Sequence, residues 1–313
     1  MNSLKNKIQG RGISNEAAES IISNLSFANA PLVEAANIHL FSQYWAASKK
    51  TVDELVEDSI KVARVAEDFA KAPSPDSLIS KKFSYYKSNY LAAALRAKSQ
   101  SNIEQYLGID ELLQVTKGFP RHILTVLRNI YKAEVFSGNS PFSGSSKISL
   151  KSQRIALLET AKWFHGECSR EGVLGESVTN ALGNLCELLR EEMYADKPVE
   201  CSASSFTVDE SQLPKEVIEL IKWAALVRVI VKGKPRQDKN SQRMISRYHV
   251  NSLLCPMWGL AVGRRGAISL NSNEVSYIFL KKYKDKYESF ISDFSKSRNL
   301  PFAIKTDQMD IEF

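Results

Sequence analysis

Ten residues between Lys222 and Arg265 are basic (Lys222, Arg228, Lys232, Lys234, Arg236, Lys239, Arg243, Arg247, Arg264 and Arg265), and Asp238 alone is acidic. The formal charge of all 313 residues is +7. This one stretch therefore holds more positive charge than the whole chain, and the remainder is slightly acidic. Lysines and arginines crowded on a short segment suit a phosphate backbone, because each contact releases condensed counterions and gives affinity without reading sequence. Lys232, Lys234, Arg236, Lys239, Arg243 and Arg247 are expected to contact phosphates. Arg264 and Arg265, set between glycines, form a second basic turn. Little nearby could read base edges, so only slight sequence preference is expected.

The elements that must position these residues are legible around them. An apolar helical run, Val217 to Val227, leads into the β-branched run Arg228–Lys232. A turn-rich tip, Gly233–Ser241, follows, and then a second alternating run, Met244–Val250. Helix, strand, Gly/Pro/Asn turn and strand make a β-hairpin mounted on a helix, the C-terminal half of a winged-helix module. Two helices upstream, Ser149–Arg170 and Gly175–Tyr194, are expected to join Leu213–Val227 as a three-helix body. Phe206–Val208 adds a short strand. After the wing, Asn251–Gly266 is too rich in breakers for a long helix, and it docks through Leu253, Leu254, Met257, Trp258 and Leu260. Ser272 or Asn273 opens another helix over Glu274–Lys282. Lys281–Arg298 reads as one amphipathic helix, and Phe302–Phe313 is an acidic tail.

The N-terminal third is helical throughout. Ser14 caps a helix over Asn15–Leu25, Pro31 opens the next, and Thr51 with Glu54 has capping-box spacing ahead of a third whose stripe is Leu55, Val62, Val65 and Phe69. Lys82–Lys98 is a fourth. The expected organisation is a helical bundle over 1–136, a Gly/Ser linker over 137–148, a winged-helix domain over 149–270, and a C-terminal helix with its tail over 271–313. The fold class is mainly α. Hydrophobic residues make up 43% and charged residues 25%, as in ordinary globular proteins. Apolar runs are far too short to span a bilayer, and no secretory h-region opens the sequence, so no membrane partner is expected. Four cysteines without a regular framework suggest reduced thiols and a cytoplasmic location.

Other chemistry is poorly supported. His165 and Cys168 lie three apart, with Cys186 and Cys201 following, but the spacing fits no common zinc pattern, and no metal site is expected. Glu191 and Glu192 are adjacent and diverge on a helix, so they make no carboxylate pair. There is no His-Glu-x-x-His, Cys-x-x-Cys, Gly-x-Ser-x-Gly or dinucleotide-binding pattern, and no catalytic residue is assigned.

One further segment carries a phosphate signal. In Gly118-Phe-Pro-Arg-His-Ile-Leu124, Pro120 occupies the first turn of a helix and Arg121 projects from its start, beside free N–H groups and a positive dipole end. This stretch resembles the sensor-two segment in the lid of AAA-type ATPases, in particular the origin-recognition-complex-like group. In those proteins a winged-helix domain follows the lid, as the basic hairpin does here. The resemblance covers roughly residues 14–265 and implies a lid-like bundle, DNA as partner, and nucleotide contact through Arg121. It stops short of the nucleotide-binding core. No Gly-x-x-x-x-Gly-Lys-Ser/Thr loop is present, and Gly138–Lys147 has five residues between its glycines rather than four. The chain is not expected to hydrolyse ATP by itself. ATP and magnesium enter only if an ATPase core, from the same gene or another chain, completes the site. The alternative is a regulatory or assembly module that contacts another subunit, or forms an oligomer, in a bacterial defence or replication complex.

Overall fold

A computed structural model describes residues 2–27, 29–48, 50–98, 106–117, 119–141, 147–170, 172–195, 203–237, 244–260, 262 and 266–299. The fold is mainly α, with a small mixed sheet towards the C-terminal end. It divides into two compact units.

The first unit comprises residues 1–98, 191–201 and 292–313. Its helices are α1 (Asn2–Gln9), α2 (Asn15–Leu25), α3 (Pro31–Ala46), α4 (Val52–Lys71) and α5 (Leu78–Lys98). The expected caps are present: Ser14 accepts from the Ala17 N–H, and Thr51 and Glu54 close a full capping box. α2 packs against α4, and α3 against both α4 and α5. Ile8, Ile21, Leu25, Phe41, Val62 and Ile79 fill the centre with no or almost no exposure. Leu55 and Val62 face that core as expected, while Val65 and Phe69 only flank it. Helix α1 was not foreseen. Among its residues with described side chains, Leu4 and Ile8, one turn apart, are the buried ones, too weak a pattern to stand out. Helix α5 starts four residues before the expected Lys82, because the Ser77 hydroxyl accepts from the Ser80 N–H and supplies a cap.

The second unit comprises residues 99–190 and 202–291. It therefore takes in α6 (Ile109–Thr116) and α7 (Pro120–Phe136), which the sequence reading had placed with the N-terminal bundle. The reason lies in their apolar faces. Leu112, Val115, Val126 and Ile130 meet Ala156 and Leu157 of α8 (Leu150–Ser169) in one cluster, together with Tyr106 and Leu253. α8 thus packs along α7 rather than serving mainly as part of a three-helix body. α9 (Gly172–Met193) buries Val178, Leu182, Leu185, Leu188 and Leu189 at helical spacing.

Four strands form the path β2 (Ile230–Lys232), β4 (Met244–Val250), β1 (Ala203–Val208) and β5 (Gly266–Ser269). The wing hairpin pairs β2 with β4 antiparallel, Val231 opposite His249. β1 lies antiparallel on the other side of β4, with Phe206 opposite Tyr248, and β5 is parallel to β1. A two-residue strand, β3 (Arg236–Gln237), extends the wing against β4. α10 (Lys215–Leu226) precedes the wing as expected and packs on α12 (Ser272–Phe279) and β2. The short α11 (Cys255–Trp258) packs on α8 within the segment expected to be irregular, and β5 begins at its last residue, Gly266. α13 (Lys284–Arg298) begins after a 3-10 turn at Lys281–Tyr283, so the expected single helix is broken there. Among the described residues no helix is long and apolar enough to cross a membrane.

Candidate functional site

The wing begins with the β-branched run Val229–Val231, which leads to Gly233 beside β4. A side chain on Gly233 would start 3.1 Å from the His249 Nε2 and 3.3 Å from the Arg247 carbonyl, so glycine lets the two arms of the hairpin close. Lys234 beyond it is exposed. Arg236 lies in β3 opposite Ile245. Lys239 and Arg243 at the tip, and Arg264 and Arg265 before β5, lie outside the described residues.

Two of the expected phosphate contacts have other partners. Lys232 reaches the Glu210 carboxylate at 2.6 Å and lies 5.5 Å over the Tyr248 ring. The Tyr248 hydroxyl donates to the same carboxylate. Burial raises the Glu210 pKa, but hydrogen bonds from Lys232, Ser246 and Tyr248 outweigh it and bring the value to about 2. Lys232 still exposes about half its side chain (47%) and can turn outward. Arg247 departs further from the expectation. It is buried, and its guanidinium donates to the Ser205 hydroxyl at 2.9 Å and the Gly266 carbonyl at 2.8 Å. β4 has a neighbouring strand on each edge and Ser246 to Val250 are all buried, so the charge pattern of the sequence could not separate a buried arginine from a solvated one.

A second basic site forms at the start of α7. The N-cap residue Phe119 provides no side-chain acceptor, Pro120 brings no N–H, and the first turn contains no acid. Arg121 is exposed and lies 5.1 Å over the Trp163 ring. Arg228 stacks 5.4 Å over Phe119. Between them His122 is only 6% exposed, meets Phe119 and Phe164 edge-on, and has an Nδ1 without a hydrogen-bond partner. Burial, then the charges of Arg121 and Arg228, hold the His122 pKa below its usual value. Arg228 has φ 62°, a left-handed conformation for a residue with a side chain, which costs on the order of 1–2 kcal/mol. The sequence reading assigned Arg121 but not Arg228 or the aromatic shelves. The available signal was an arginine directly after a helix ending in Leu226-Val227, where glycine or asparagine is usual.

The remaining candidates do not converge. His165 stacks edge-on with Trp258 at 5.8 Å, and Cys168, Cys186 and Cys255 are buried free thiols. Cys201 lies outside the described residues. Among the described residues no group of three His, Cys, Asp or Glu is arranged to hold a metal ion.

A family model described as ORC-CDC6-like matches residues 2–270. The chain belongs to that family. No curated protein and no solved structure matches it. The matched region contains every basic residue of the wing and both arginines at the start of α7. In this ORC-CDC6-like chain Arg121 is an exposed cation at the start of α7. The chain has neither the phosphate-cradling loop nor, among its described residues, a carboxylate cluster for magnesium.

Proposed function

We propose that this ORC-CDC6-like chain grips the phosphate backbone of duplex DNA through its wing, with little sequence preference. The observation that carries this reading is the placement of Lys232, Lys234 and Arg236 in order along one hairpin, within the segment that holds the chain's excess charge. The unmatched charge of that segment, and the tip residues Lys239 and Arg243 within it, suit a polyanion. Arg264 and Arg265, next to β5, extend the same basic region in sequence. Arg247 is left out of the contact set because its donors are spent inside the sheet. Changing Arg236, Lys239 and Arg243 together to alanine tests the reading: duplex affinity and its salt dependence should both fall, and unchanged binding would remove it.

Arg121 is assigned to nucleotide recognition within the same proposal. It would contact a phosphate of ATP held, with magnesium, by an ATPase core from the same gene or another chain. No step of hydrolysis is assigned to this chain.

A second reading has its own support. α7 exposes Leu124, Leu127, Tyr131 and Val135, at 66%, 48%, 45% and 48%, on successive turns of one face. An apolar stripe of that kind suits a regulatory or assembly module that contacts another protein subunit in a bacterial defence or replication complex. Under it, Leu127→Lys would abolish a partner complex that survives nuclease digestion. A complex dissolved by nuclease supports the wing reading instead.

A further inference from the structure

We propose that Arg228 and Arg121 together form a two-arginine clamp for a terminal phosphoryl group at the start of α7. The clamp rests on the reading of Arg121 as a phosphate contact and deepens it, because Arg228 comes from the junction of α10 and β2, on an unrelated element.

Four observations converge. Each guanidinium lies over an aromatic ring, Arg121 at 5.1 Å from Trp163 and Arg228 at 5.4 Å from Phe119, a cation–π contact that spends none of its N–H donors and leaves them for an anion. Neither has a carboxylate partner among the described residues, whereas Arg170 and Lys232 each pair with a glutamate. The helix between them starts without an acid or a side-chain cap, so its first N–H groups have no competing acceptor. Directly behind lies His122, more than nine-tenths buried, with Nδ1 unpartnered. A buried nitrogen without a mate, walled by two cations, is an arrangement that an anion completes.

The backbone at Arg228 adds a reason. The turn needs a left-handed residue, and glycine would take that conformation without strain. The Arg228 carbonyl accepts from the Asn251 side chain at 2.7 Å, and the Val229 carbonyl accepts from the Asn251 N–H at 2.9 Å. The chain is thus pinned directly after a strained arginine, and strain kept in place by its surroundings points to a role for the side chain.

The experiment follows the imidazole of His122 by NMR, assigned with His122→Gln, while inorganic tripolyphosphate, ATP or a short blunt duplex is added. A phosphoryl group held by both arginines offsets their charge and raises the His122 pKa. Arg228→Gly keeps the left-handed turn and should melt no lower than the wild type, yet tripolyphosphate affinity should fall tenfold or more. Arg121→Gln should fall comparably, and the triple wing variant, though impaired in duplex binding, should leave the tripolyphosphate response unchanged. If Arg228→Gly binds like the wild type while Arg121→Gln does not, the clamp is overturned and the Arg121 reading survives. If neither substitution matters, or no added phosphate compound moves His122, both fall. A response to the duplex without one to tripolyphosphate places a backbone phosphate there and overturns the terminal assignment.

Discussion

The guanidinium of Arg247 donates to the Ser205 hydroxyl at 2.9 Å, and that hydroxyl donates in turn to the Gly266 carbonyl at 2.7 Å. The returning arm of the wing is therefore tied through one arginine to β1 and β5. Arg247→Ala removes a buried guanidinium together with its hydrogen bonds to the Ser205 hydroxyl and the Gly266 carbonyl. The expected loss is about 3 kcal/mol of unfolding free energy, read from denaturant midpoints. Arg247→Lys should recover only part, because an ammonium cannot span both acceptors in the guanidinium's plane.

Acid should weaken the root of the wing in a defined window. The Glu210 pKa is held at about 2, against an ordinary 4.5. A carboxyl depressed in the folded state adds stability that is complete above the unfolded value and disappears as pH falls through the folded one. Stability should therefore decline between about 4.5 and about 2, and Glu210→Gln should flatten that part of the curve. Glu134, whose pKa hydrogen bonds from Ser149, Ser152 and Asn139 also hold at about 2, adds to the same slope. Denaturant titrations at stepped pH on the two Gln variants separate them.

In the first unit the buried His39 Nδ1 and Tyr90 hydroxyl lie 2.7 Å apart. Tyr90→Phe keeps the ring's packing on Phe83 and Tyr86 but leaves a buried nitrogen short of this partner. The expected cost is about 1–2 kcal/mol, measured by thermal or denaturant unfolding.

Burial raises the pKa of both Cys186 and Cys255, the latter to about 12. Iodoacetamide should therefore leave Cys168, Cys186 and Cys255 unlabelled in the folded protein and label all three after unfolding, as read by peptide mass spectrometry.

Local signals carried much of the fold. Thr51 with Glu54, Pro31 and Pro120 marked helix starts because capping and proline chemistry are decided within a few residues. The strand Met244–Val250 was placed correctly, although an alternating pattern was expected and Ser246 to Val250 are all buried. What could not be read depends on contacts distant in sequence. The pairing of α7 with α8 follows from matched apolar faces on either side of a Gly/Ser-rich stretch, and sequence spacing suggested a boundary there. β5 is four residues long and joins the sheet only because β1 offers a free edge. The same holds for the sites. The charge of the wing was plain, but which of its basic residues turn inward was not, and Arg247 and Lys232 found partners at Ser205 and Glu210, more than twenty residues away. Arg121 was visible from its turn. Arg228 became a candidate only when folding set it against Phe119.

The most direct test of the account measures duplex DNA affinity across a series of salt concentrations, for the wild type and for Arg236→Ala/Lys239→Ala/Arg243→Ala. Each lost phosphate contact should lower the slope of log affinity against log salt by about 0.9, so the triple variant should bind more weakly with a slope shallower by about 3. Equal slopes and equal affinities would contradict the proposal that this hairpin is where the protein holds nucleic acid.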